Sequence, residues 1–117
     1  MAFEVRRDPG NGKPTLFPAW ESRDMHVPDP PVVANDVVYA LQTGENTVQG
    51  KGATAKFRST PITNAVLYAL DAQTGEQLYS SEKLIDSWTH FSEPVVAGGQ
   101  VYVCTWDARV YAFGLKK

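Results

Sequence analysis

Side chains able to bind or catalyse gather in four short stretches of the 117-residue chain: 23–30, 45–65, 82–93 and 107–109. In "DSWTHFSEP" (86–94), Trp88 and His90 could stack on and hydrogen-bond a planar or sugar-like ligand. The plainer alternative has Trp88 and Phe91 plugging a gap between sheets while His90 binds a loop carbonyl. In "TWDAR" (105–109), Trp106 offers a further aromatic surface. Asp107 and Arg109 could clamp a carboxylate or pair with each other, or Asp107 could cap the turn and Arg109 stay solvated. His26 and His90 are the only histidines. On the internal repeat described below, Val27 and not His26 falls opposite His90, so the two do not make a symmetric metal pair. With one cysteine, and no His-x-His or Cys-x-x-Cys spacing, no transition-metal site is expected. Cys104 follows "VYV" in a predicted strand and is expected to be a small, buried, inert thiol. The 45–65 stretch sets Lys51, Lys56 and Arg58 against Glu45. It is either a mobile loop that closes over a partner or a disordered excursion.

An internal repeat supplies the elements that must hold these residues. "PVVANDVVYALQTG" (31–44) and "PVVAGGQVYVCTWD" (94–107) align without a gap. "LYAL" (67–70) aligns with "VYAF" (110–113), and 45–65 is then an insertion in one copy of a unit of about 43 residues. Alternating apolar residues mark the strands. Asn35-Asp36 and Gly98-Gly99 suit tight hairpin turns that need positive φ, and Gly75 closes a further hairpin between "AVLYALD" and "EQLYSS". "FEVRR" and "TLFPAWES" flank a front hairpin, and no segment of ten or more residues carries a helical period. With a unit's four strands lettered A to D, the chain reads C-D, A-B-C-D, A-B-C. An all-β partial propeller of about two four-stranded antiparallel blades is the expected fold. Residues 1–22 form an outer hairpin, 30–81 a full blade with the insertion, and 93–115 a partial last blade, all within one domain spanning 1–117.

"LYALDAQTGEQLY" resembles the repeat of quinoprotein-like (PQQ-type) β-propellers, with Ala69, Asp71, Gly75 and Glu76 at signature positions and Tyr79 where the family prefers Trp. "PVVAGGQVYVCTWDARVYAFG" is similar to the family's A-to-C run, with Ala108 where the family has Gly. The likeness is to the C-terminal blades of exported bacterial members, and Trp20 would take the docking role in the front hairpin. It implies that Asp71 accepts backbone N–H bonds in the turn that Gly75 completes. It also implies that the aromatic at 79 packs on the next blade, less extensively as Tyr than as Trp. Family members with quinone dehydrogenase activity need a general-base Asp, a calcium ion and the quinone. Asp86, Asp107, Trp88 and Trp106 are of the right types, but no family catalytic motif maps onto them, and the vicinal cysteine pair cannot form from Cys104 alone.

A formal net charge of -2 and a pI near 5.6 give no basic footprint for nucleic acid. No apolar run is long enough for a membrane span, and "MAFEVRRDPGNG" has no signal-peptide core. Relatives of this kind are periplasmic or secreted; the chain itself leaves its compartment open. No nucleophile elbow or phosphate loop occurs, so the expected role is a non-catalytic scaffold or interaction module. A quinone-dependent dehydrogenase segment, with PQQ and calcium, and a carbohydrate-binding face are the alternatives. Two blades leave edges and faces uncovered. The expected partners are therefore the remaining blades of a longer propeller or further copies of the chain, beside a small-molecule or glycan ligand.

Overall fold

A computed structural model describes residues 1–48, 50–60 and 62–115. Among the described residues nine strands form three separate antiparallel sheets. β1 (Ala2–Arg7) and β2 (Pro14–Trp20) make a hairpin. β3 (Val32–Ala34), β4 (Val37–Gln42), β5 (Val66–Asp71) and β6 (Gln77–Ser80) make a four-stranded meander. β7 (Val95–Ala97), β8 (Gln100–Cys104) and β9 (Val110–Gly114) make a three-stranded one. The two aligned ribbons thus lie in different sheets, and β3 and β7 run close to each other.

The turns follow from residue type. Asn35 and Asp36 have φ of 50° and 61°, and Gly98 and Gly99 have 57° and 77°, the geometry of tight two-residue hairpins. Asp71 Oδ1 accepts the N–H groups of Gln73 (2.9 Å) and Thr74 (2.8 Å), while Gly75 takes φ of 77°. Those bonds hold the Asp71 carboxyl below the usual carboxylate range, the Thr74 N–H contributing most.

The main core lies between the second and third sheets: Leu41, Ala65, Leu67, Ile85, Val101 and Val103, flanked by Tyr39, Val96, Tyr111 and Phe113. β5 is buried along Leu67–Leu70, as a strand covered on both faces should be. Its other face meets the first hairpin through few groups. Trp20 Nε1 donates to the Ala72 carbonyl (2.9 Å), and the indole lies where a Cβ on Gly75 would come within 2.5 Å of it. Arg23 stacks on Tyr68 at 4.9 Å and donates to Gln77 (3.3 Å).

The insertion differs from the expected loop. It contains one helical turn, Ala55–Arg58, whose cap Thr54 accepts the Phe57 N–H (3.1 Å). The turn is held over its root by Asn46, whose side chain donates to the Phe57 and Thr60 carbonyls at 3.2 and 2.8 Å. Among the described residues no helix is long and apolar enough to cross a membrane.

Candidate functional site

The 82–93 connection is stitched between sheets by backbone bonds. The Ala65 N–H donates to Ser87 O (2.8 Å), the Thr89 N–H to Thr43 O (2.9 Å) and the Trp106 N–H to Trp88 O (2.9 Å). Threading the segment this way turns Trp88 inward, where it is buried, and sets Trp106 over it. The two indoles stack at 4.8 Å and 25°. Trp106 is 65% exposed, so its outer face is open while its inner face is covered.

His90 follows, with its ring edge-on to Trp106 at 6.2 Å, and its Nδ1 pairs with the Glu45 carboxylate. Glu45 stands at the root of the insertion, with its side chain only 6% exposed. The one-turn helix faces this group. Glu45, Lys56, Arg58, Trp88, His90 and Trp106 line most of a cleft of ≈ 170 Å³. The Arg58 Nε is buried without a hydrogen-bond partner, and neither Lys56 nor Arg58 has an ion-pair partner among the described residues. Behind the cleft Asp29 is buried and accepts the Ser92 N–H (3.3 Å). Burial raises its pKa and nearby Glu45 adds to the rise, against the opposing pull of Ser92 and His90.

Of the predicted site residues, Trp88, His90 and Trp106 come together. Asp107 and Arg109 do not join them: Arg109 donates to Asp86 (2.9 Å) and pairs with Asp107 (3.2 Å) in a separate exposed triad. Asp107 also accepts the Thr105 hydroxyl (2.6 Å), and the Tyr111 hydroxyl, then Asp107 and Asp86, hold the Arg109 guanidinium up in pKa. His26 is exposed and stands outside the cleft; its backbone N–H donates to Gln42 (3.1 Å). Three expectations are corrected. Phe91 is 84% exposed and plugs nothing. His90 binds a carboxylate and not a carbonyl. Cys104 is exposed, because Val101 and Val103 point into the core and put Tyr102 and Cys104 on the opposite face.

Sequence reasoning missed Glu45 as a partner and Ser59 as a lining residue. The available signal was that Glu45 is the single acid at the root of a basic insertion. Among the described residues no group of three or more His, Cys, Asp or Glu side chains is placed to hold a metal ion, and the Trp88 face turned to Trp106 is already occupied. Compared with known proteins, the chain matches no family model and no curated sequence.

Proposed function

We propose that the chain is a segment of a quinoprotein-like β-propeller, its sheets serving as blades in the order C-D, A-B-C-D, A-B-C, and that it works as a non-catalytic scaffold and interaction module. Its partners are the remaining blades of a longer propeller or further copies of itself. One observation carries the reading: the two outermost sheets turn apolar faces to water. On the first hairpin Phe3, Val5 and Leu16 are 49%, 71% and 61% exposed; on the third sheet Val95 and Val110 are 57% and 65% exposed. Cross-strand register puts Val5 beside Leu16 on one face. Contiguous apolar faces of this kind mark association surfaces, and stacked repeats bury such faces against neighbours. The flat shape, 50 × 47 × 20 Å, keeps both faces accessible.

The non-catalytic half of the reading rests on the carboxylates. A general base must stand within reach of the proton it takes from a bound substrate. Asp86 and Asp107 stand apart from the cleft, in an exposed triad with Arg109. Size-exclusion chromatography with light scattering tests the association half. The expected result is concentration-dependent assembly that the double substitution Val5→Glu/Leu16→Glu abolishes while the monomer's circular dichroism is kept. A monodisperse monomer over a wide concentration range overturns further copies as the partner and leaves the remaining blades of a longer propeller.

A further inference from the structure

We infer that the cleft between Trp106 and the 55–58 helical turn is a binding site for a hexuronate, a sugar ring carrying a carboxylate. The apolar wall is one exposed indole face, immobilised from behind. Trp88 stacks on Trp106 at 4.8 Å, and the Trp106 N–H is tied to Trp88 O at 2.9 Å. A rigid, one-sided aromatic platform accepts the C–H face of a sugar at little conformational cost.

The opposite wall is cationic, with no ion pair among the described residues. Lys56 and Arg58 line the cleft, and the Arg58 Nε is a buried donor with no acceptor. The planar guanidinium fork matches a carboxylate better than a hydroxyl does. The one acid in the cleft wall, Glu45, is committed to His90, so it does not cancel the two cations. At the rim, the Ser59 hydroxyl donates to the Ala55 carbonyl (3.0 Å) and keeps lone pairs for ring hydroxyls. With a single aromatic wall, half of a bound ring stays wet. A hydroxyl-bearing ring tolerates that, and a bare arene does not.

The site is independent of the association surfaces, which lie on the outermost sheets. Trigalacturonate titrated into the full chain, followed by calorimetry and tryptophan fluorescence, tests it, with the fully methyl-esterified trisaccharide and benzoate as comparison probes. Saturable binding of trigalacturonate is expected, weakened at least tenfold by esterification, by Trp106→Ala and by Lys56→Gln/Arg58→Gln, and weakened by added salt. Trp106→Phe should retain part of the binding, which separates loss of stacking from loss of fold. No saturable binding, equal affinity for the ester, or benzoate binding as tightly as the uronate overturns the assignment. A protein that assembles but binds no uronate sinks this site alone. A monomer that binds it sinks self-association alone.

Discussion

The two junctions between sheets are built on different principles. The first hairpin meets the second sheet through one aromatic anchor, Trp20 seated on the Asp71–Gly75 turn, and one cation, Arg23 over Tyr68. Among the described residues no strand of the hairpin runs alongside a strand of the second sheet. The second and third sheets share a continuous core, with Leu41, Leu67, Ile85 and Val103 almost wholly buried. There the equivalent aromatic, Tyr79, only approaches Phe113, at 6.2 Å and 56°, and stays 40% exposed. At that junction the 82–93 connection fills the gap with Ile85 and Trp88. A strong anchor and a filled seam are alternative solutions to the same wedge between twisted sheets.

Breaking the filled seam should have the larger effect. Ile85→Ala removes a fully buried side chain from a site enclosed by two sheets. It is expected to cost about 3 kcal/mol, from lost transfer energy plus the cavity left behind. Loss should be global: near-UV and far-UV circular dichroism should report one coincident, earlier transition in denaturant. A shift confined to one probe would mean that the sheets do not unfold together.

Breaking the anchor should act locally. Trp20→Ala loses a half-buried indole and its hydrogen bond to Ala72, worth about 2–3 kcal/mol at that junction. Hydrogen exchange by mass spectrometry should speed up in β1 and β2 and stay unchanged in β7 to β9. Gly75→Ala should do the same, because the added Cβ would sit 2.5 Å from the Trp20 ring and the φ of 77° disfavours it. Equal acceleration in all three sheets would show that the hairpin is part of the common core.

How far the sequence discloses these features depends on their range. The strands, the Asn35-Asp36 and Gly98-Gly99 turns and the Asp71 cap were legible because each is decided by residues within a few positions. Trp20 was given a docking role only by the family resemblance, and it is seated on the Asp71–Gly75 turn. The helical turn 55–58 was not legible, since four residues cannot display a period of 3.6. Cys104 was misplaced because alternation gives two faces without saying which one the core takes. In the cleft, the residue types were visible and the partners were not: Glu45 and His90 are separated by 45 positions. Sequence spacing likewise could not tell that Arg109 would turn to Asp86 and away from Trp106.

Acid should sharpen the contrast, because the two junctions carry carboxyls shifted in opposite directions. Asp29, beside the second junction, has a raised pKa from burial. Its protonated form therefore suits the folded state, and it adds stability as pH falls from its raised value towards 3.8. Asp71, which shapes the seat of Trp20, has a lowered pKa. Its contribution is present above 3.8 and is lost as pH falls further, through its folded value. Denaturant titrations over this range should show that Asp29→Asn removes the gain on the acid side and is the more stable protein at neutral pH. Asp71→Asn should remove the loss at lower pH. An Asp29→Asn curve parallel to wild type across the range would mean that the carboxyl is not buried in solution.

The smallest expected effect concerns the hairpin that brings Tyr111 and Phe113 to the second junction. Ala108 turns the chain between β8 and β9 with φ of 62°, a left-handed conformation that an L residue with a Cβ adopts at a cost. The turn tolerates it because its neighbours hold the backbone. The Ala108 N–H donates to Thr105 O at 3.1 Å, Thr105 bonds Asp107, and Arg109 bridges Asp107 to Asp86. Ala108→Gly removes the Cβ penalty and gives back part of the gain as entropy of the unfolded chain, leaving a net stabilisation of about 0.5–1 kcal/mol. The gain should appear as a higher denaturant midpoint with an unchanged slope. It should vanish in the Ile85→Ala background only if the two sites are coupled through the seam, since separated sites add. Additive behaviour would show that the turn closes the third sheet by itself. Coupling would show that the 82–93 connection, reached through the Asp86–Arg109 pair, carries strain from the turn into the core.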